Sequence, residues 1–168
     1  MQVITAPSNE TPKYPSCFLA GGITNCKEWQ KEVIAELEHY NITIYNPRQE
    51  HFDISKKDAA YRQIEWEFER LEQMDIFSMY FCNDNSDQPI CMYELGRNII
   101  RMQNRFPNSW RDRIVVSVED GYKRKQDVLI QLGLCAPYLY VESNATTWLH
   151  AEEIKRAFDK VVIKRRKW

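Results

Sequence analysis

Residues 76–82 read Ile-Phe-Ser-Met-Tyr-Phe-Cys, an apolar run without alternation. A run that short and that uniformly apolar suits a strand covered on both faces, the position of a central strand in a parallel sheet. Segments with a helical period flank it: Asp58–Met74 before and Met92–Arg105 after. Parallel strands need crossover connections, and a helix is the usual one. The rest of the chain repeats the alternation. Cys17–Ala20, Ile42–Tyr45, Ile114–Val118 and Tyr138–Val141 read as further short strands. Glu28–Tyr40, Lys123–Leu132 and Thr147–Ile163 read as helices, with Gly133 as the C-cap of the fourth. Five β-α units with short links predict an α/β fold with a doubly wound, five-stranded parallel sheet in three layers. With 168 residues and no boundary signal, the chain reads as a single domain over 1–168. Within it, 1–15 is a loose lead-in and 164–168 a basic tail.

Charge and cysteine content narrow the function. A net charge of −1 gives no global electrostatic case for nucleic acid. The one basic run, Lys164-Arg165-Arg166-Lys167, reads as a solvated terminus. No apolar run approaches about 18 residues, so no membrane span is expected, and the N-terminus lacks the order of a signal peptide. Five cysteines without a CxxC pair or ligand-spaced histidines suggest reduced thiols and a cytoplasmic setting. His39, His51 and His150 have no partner at a telling spacing. No Walker loop, GxGxxG or zinc spacing occurs, so the chemistry is expected to need no cofactor and no metal.

Three carboxylates stand where chemistry can use them: Glu67, Asp75 and Glu94. At about 100° per residue, Ile64, Phe68, Leu71 and Asp75 share one helix face, and Glu67 falls inside that arc. A carboxylate there must be paired, protonated or lining a cavity. Glu94 falls at the rim of the next helix's apolar face. Taken as a first-turn residue it is expected to stay ionised near neutral pH. Two carboxylates in unlike environments suggest divided roles, one attacking and one carrying a proton, as in retaining glycoside chemistry. A structural Glu67, bonded to backbone groups or to Arg48, is the competing reading. In an open parallel sheet the ligand site lies beyond the carboxyl ends of the strands. There the chain offers Gly21-Gly22, Asn46-Pro47-Arg48 and the loop 83–89.

These segments carry a resemblance. FLAGGIT (18–24), NPRQEHF (46–52), QIEWEFERLEQMD (63–75), PICMYELG (89–96) and GYKRKQDVLIQ (121–131) resemble, in order and spacing, the nucleoside 2-deoxyribosyltransferase-like family. The resemblance implies a flavodoxin-like fold, a nucleoside or nucleotide as small-molecule substrate, and cleavage of the N-glycosidic bond through a glycosyl-Glu ester. Glu94 would be the nucleophile on C1′ and Glu67 the acid-base group, where related deoxynucleoside 5′-monophosphate N-hydrolases carry an Asp. Asp75 would organise the site through hydrogen bonds. Gly21 and Gly22 would let the sugar or base approach the backbone. Those hydrolases carry Ser in place of Gly22 and of Gln88, so the chain departs from their phosphate site; Thr24, Arg48 and Ser86 are the remaining donors.

Other expectations follow from single residues. Trp29, near the Gly-Gly loop, is either a base-stacking platform or a core-edge residue. Phe52, with Tyr61, is a candidate to close the pocket beside Pro47. Trp66 projects away from the Ile64–Leu71 face, which predicts a subunit interface and a homodimer or higher homo-oligomer. The reading is an enzyme that transfers a deoxyribosyl group to another base or to water. Two alternatives stay open: a 5′-monophosphate N-hydrolase, and an inactive nucleotide-binding sensor.

Overall fold

The computed structural model describes residues 1–52, 55 and 57–165, so 166–168 of the basic tail lie outside the described residues. Six strands form one parallel sheet: β1 (Gln2–Thr5), β2 (Ser16–Gly21), β3 (Thr43–Asn46), β4 (Ile76–Phe81), β5 (Ile114–Val118) and β6 (Val141–Glu142), in the order β1-β3-β2-β4-β5-β6. The helices are α1 (Trp29–Glu36), α2 (Ala59–Gln73), α3 (Pro89–Arg105), α4 (Lys125–Cys135) and α5 (Thr147–Arg165), with a 3-10 turn at Trp110–Arg113. The result is the expected α/β, three-layer, flavodoxin-like arrangement, with one strand more than the five predicted.

The uniformly apolar run does what its pattern requires. In β4, Phe77, Met79 and Phe81 join the core under α2, α3 and α4, while Ile76 and Tyr80 join the core under α1 and α5. Side chains alternate between faces, so a strand buried on both sides has no polar register. The exception is Ser78, which with Ser117 on β5 flanks the fully buried His150 of α5. Ser78 Oγ lies 2.7 Å from Nε2 and Ser117 Oγ 2.7 Å from Nδ1. Burial pushes this imidazole down to about 3, so it stays neutral and serves as a core bridge between sheet and helix. No sequence spacing links residues 78, 117 and 150; the pairing of β4 with β5 and the packing of α5 on that face bring them together.

The lead-in is where the sequence reading fails first. Residues 2–5 pair with β3 in parallel register, Gln2 opposite Thr43 through Thr5 opposite Asn46. The segment that follows lies over α2. Trp66 Nε1 donates to the Ser8 carbonyl at 2.7 Å, and Arg70 Nη2 donates to Asn9 Oδ1 at 2.8 Å. Trp66 is therefore buried, 3% exposed, against Phe18 and Tyr45, with the Arg70 guanidinium over both the Trp66 and Tyr45 rings. It is not an interface residue. Instead Ile64 (65% exposed) and Phe68 (50% exposed), read as core positions, face outward.

Three ends also differ. The fourth helix runs through Gly133 to Cys135, so Gly133 is not its C-cap. The last strand is only Val141–Glu142, and Tyr138, in a left-handed conformation, is exposed. α3 starts at Pro89, whose fixed φ and missing N–H suit a first helical position, so Glu94 falls in the second turn rather than the first.

Candidate active site

β2 is flanked by β3 on one side and β4 on the other, so their carboxyl ends open a crevice at the topological switch point. A cleft of about 230 Å³ lies there. Its walls are Gly21 to Thr24 after β2, Pro47 after β3, Glu67 on α2, and Ser86 with Gln88 ahead of α3. Ile90, Cys91 and Glu94 on α3 complete it.

Glu67 and Glu94 are brought together because α2 and α3 are locked side by side. Arg101 Nη1 donates to the Leu71 carbonyl at 3.1 Å, and Arg105 Nη1 to the Glu72 and Met74 carbonyls at 3.0 and 2.9 Å. The cationic end of α3 thus satisfies the orphan carbonyls that end α2. Glu67 is further fixed by Gln63, one turn earlier. Gln63 Nε2 donates to Glu67 Oε1 at 2.6 Å and to the Pro47 carbonyl at 2.7 Å, while Gln49 Nε2 donates to Gln63 Oε1. Gln63 was missed by the sequence reading, although its i, i+4 spacing to Glu67 was the available signal.

Both carboxyls titrate above the ordinary range. Burial raises Glu67, opposed by the Gln63 hydrogen bond. Burial raises Glu94 to about 7, with repulsion from Glu67 adding and Arg97 opposing. This corrects the expectation of a Glu94 fully ionised near neutral pH: it sits past the helix's first turn, in an apolar wall with a second carboxylate facing it. The two groups share the cleft closely enough to repel, so the last proton leaves the pair near neutral pH.

The glycine pair is required by close approach. A Cβ on Gly21, whose φ is +155°, would lie 2.5 Å from the Trp29 ring and 2.5 Å from the Tyr80 carbonyl. A Cβ on Gly22 would lie 2.3 Å from Cys26 Sγ and 2.9 Å from the Gln88 carboxamide. Gly22 and Gln88 therefore belong together: the longer side chain occupies the space that a residue larger than glycine would need. Gln88 is buried at the left-handed N-cap of α3. Its Nε2 donates to the Cys82 carbonyl at 2.8 Å, while its Oε1 has no partner.

Several predicted site residues lie elsewhere. Trp29 is fully buried beneath the loop, its Nε1 donating to the Gly22 carbonyl at 2.9 Å and its ring against Tyr80, so it is a core residue and no base platform. Arg48 does not line the cleft. Its Nη2 reaches the carbonyls of Gly22, Ile23, Cys26 and Lys27 at 2.9–3.4 Å and gathers the loop after β2. Asp75 is at the amino end of β4, at the opposite end of the sheet from the cleft. There it accepts from the Ser16 amide at 2.9 Å and pins β2 to β4. Phe52 is exposed and outside the cleft wall. Thr24 and Ser86 remain as hydroxyl donors, with Ser86 Oγ also accepting from the Gln88 amide at 3.3 Å.

A second cluster surrounds the carboxyl ends of β4 and β5. Glu119 accepts from Tyr80 Oη and from the Asn83 amide at 2.7 Å, and pairs with Lys27 Nζ at 2.5 Å. Tyr122 stacks on Phe81 and donates to the Asp87 carbonyl at 2.9 Å, which holds the loop carrying Ser86 and Gln88. No helix among the described residues is long and apolar enough to cross a membrane.

No curated protein matches the chain. Residues 14–122 match the family described as nucleoside 2-deoxyribosyltransferase like. The matched span begins just before β2 and ends beyond β5, so it contains both cleft carboxylates and every loop that walls the cleft. The chain belongs to the nucleoside 2-deoxyribosyltransferase-like family.

Proposed function

We propose that the protein cleaves the N-glycosidic bond of an unphosphorylated 2′-deoxynucleoside, or a close modified relative, and passes the deoxyribosyl group on through an ester with Glu94. A carboxylate oxygen of Glu94 attacks C1′ as the C1′–N bond breaks. The departing base takes that bond's electron pair and accepts the proton of Glu67. An incoming base nitrogen or water then attacks C1′, Glu67 takes up its proton, and Glu94 leaves as carboxylate. The observation that carries this reading is the pair itself: two carboxyls facing one cleft, both raised by burial, one held by Gln63. Such a pair holds a single proton near neutral pH, the state that a nucleophile and an acid require together.

One feature favours an unphosphorylated substrate. The Arg48 guanidinium is occupied by backbone carbonyls, so among the described residues no lysine or arginine lines the cleft as the fixed cation that a phosphate favours. The active form is proposed to be a homodimer joined across the exposed apolar face of α2 and α3. Ile64 and Phe68 on α2 and Tyr93 and Ile100 on α3 are exposed there, Arg97 of α3 lies over the Phe68 ring, and Ile90 belongs to the cleft wall.

The test compares kcat/KM for deoxycytidine, deoxyadenosine and thymidine with that for their 5′-monophosphates. Each charge-assisted bond to phosphate would contribute about 1.5–3 kcal/mol, so two would favour the monophosphates about a hundredfold or more. Equal or better use of the nucleosides is expected. A hundredfold preference for the monophosphates would overturn the substrate assignment in favour of the N-hydrolase reading.

A further inference from the structure

Folding gathers three metal-ligating side chains that no motif links in sequence. Cys26 follows β2, Cys82 comes directly after β4 and Asp84 lies in the same loop, yet their Sγ, Sγ and carboxylate oxygen atoms lie within 4.8 Å of one another. A tetrahedral Zn²⁺ site, with bonds of about 2.3 Å to sulfur and 2.0–2.2 Å to oxygen, holds its ligand atoms roughly 3.4–3.8 Å apart. The cluster fits that scale without rearrangement of the backbone.

The surrounding structure prepares this corner. Arg48 ties down the Cys26 carbonyl at 3.1 Å, and the Lys27 amide donates to Asp84 Oδ2 at 2.9 Å, so the loop after β2 is tied to the loop after β4. The Asp84 amide in turn donates to the Cys82 carbonyl at 3.1 Å. An independent observation marks the same place. Gln88 Oε1, on a residue only 3% exposed, has no hydrogen-bond partner and lies against the same point of Gly22 as the Cys26 sulfur. It is an acceptor in want of a cation or a donor, beside two thiols.

We propose that Cys26, Cys82 and Asp84 form a site for a single Zn²⁺-class cation, with Gln88 Oε1 or a water in the fourth position. Two sulfurs with one carboxylate select a borderline-soft ion over Mg²⁺ or Ca²⁺. Both thiols lose their protons on binding, so two protons are released per ion, and three anionic ligands meet the dication with Lys27 nearby. The ion joins the two loops that wall the cleft through Gly22 and Gln88, so its occupancy stiffens that wall. The site is independent of the transferase reading, because its test measures binding and not turnover.

The experiment titrates the reduced, metal-free full chain with Zn²⁺ against a chromogenic chelator, and with Co²⁺ as the spectroscopic probe. One equivalent is expected, with a thiolate-to-cobalt charge-transfer band and a tetrahedral visible spectrum. C26S and C82S should each abolish it, and D84N should weaken it by more than about tenfold, the lower end of what an outer partner costs. C135S, at an exposed cysteine away from the cluster, should leave it unchanged. On the wild-type chain, which bypasses any folding defect of the variants, Zn²⁺ should protect the part-exposed Cys26 from alkylation while Cys135 still reacts. Absence of a saturable equivalent, a band that survives C26S or C82S, or alkylation of Cys26 undiminished by Zn²⁺ would each overturn the site. So would a Cys26–Cys82 disulfide under mild oxidation as the pair's only chemistry.

Discussion

At the residue scale, the proposed reactive unit is the carboxyl pair Glu67 and Glu94 with a single proton between them. The pair is fully protonated in acid and loses its last proton near Glu94's value of about 7. Only the singly protonated pair contains both a nucleophile and an acid. So kcat/KM of the wild type should fall as pH rises through about 7, when that proton leaves, and should fall again in acid, when Glu94 is capped. In Glu67→Gln the alkaline limb should vanish. The one limb that remains, the capping of Glu94 in acid, should lie below 7, because the Glu67 charge that helps to raise Glu94 is gone. Substrates with poor leaving groups should suffer most. A variant that keeps the wild-type alkaline limb would remove Glu67 from acid catalysis. Glu67 was legible in sequence because a carboxylate inside an apolar arc is costly unless something uses it. Asp75 and Arg48 were misread for one reason. Spacing along a helix or after a strand says nothing about which end of the sheet, or which distant carbonyls, a side chain reaches. Asp75 meets Ser16 and Arg48 meets residues 22–27, both through long-range contacts.

At the scale of elements, α2 shows how an amphipathic helix can be rotated from its most obvious face. Its buried arc runs from Trp66 and Arg70 through Glu67 to Leu71, and Ile64 and Phe68 form an apolar stripe past its edge. The apolar period alone centres the core on the stripe of Ile64, Phe68 and Leu71. The extra strand β1 and the segment after it reverse this by supplying the Ser8 and Asn9 acceptors that let Trp66 and Arg70 be buried. Glu67 lies close to both the arc and the stripe and so reaches the cleft in either case, which is why that assignment survived a wrong face. Trp66→Ala should therefore cost about 3–5 kcal/mol of stability, as deletion of a buried aromatic does, and leave the association state unchanged. Urea unfolding of the variant checks this: a loss below about 1 kcal/mol, or a variant that dissociates with its fold intact, would contradict the buried position. The parallel, doubly wound sheet, by contrast, was legible, since apolar runs between helical segments admit few arrangements, although edge strand β1 was not.

For the whole molecule, α2 and α3 leave a set of large apolar residues exposed, one of them, Ile90, in the cleft wall. Tyr61, Ile64 and Phe68 stand on one helix and Ile90, Tyr93 and Ile100 on the other, with Arg97 stacked 4.3 Å from the Phe68 ring centroid. Aromatic and Arg-rich apolar surface of this kind fits a subunit interface, and the face adjoins the site. Sedimentation at micromolar concentration should give a dimer for the wild type and a monomer for Ile64→Glu; a monomeric wild type, or an Ile64→Glu dimer as tight as wild type, would reject this contact. The sequence reading anticipated a homodimer but chose Trp66 for the contact, because the covering lead-in was taken as structureless. The arginines that lock α2 to α3 set Glu94 beside the Gln63-anchored Glu67, and the proposed chemistry rests on one oxygen of Glu94 placed to reach C1′. Acid quenching of the protein mixed with a deoxynucleoside, followed by peptide mass mapping, measures that placement most directly. The wild type should show a gain of one deoxyribosyl unit on the peptide carrying Glu94, and Glu94→Gln should show none and lose base release by several orders of magnitude. Near-normal base release by Glu94→Gln, or an adduct on another residue, would contradict the account.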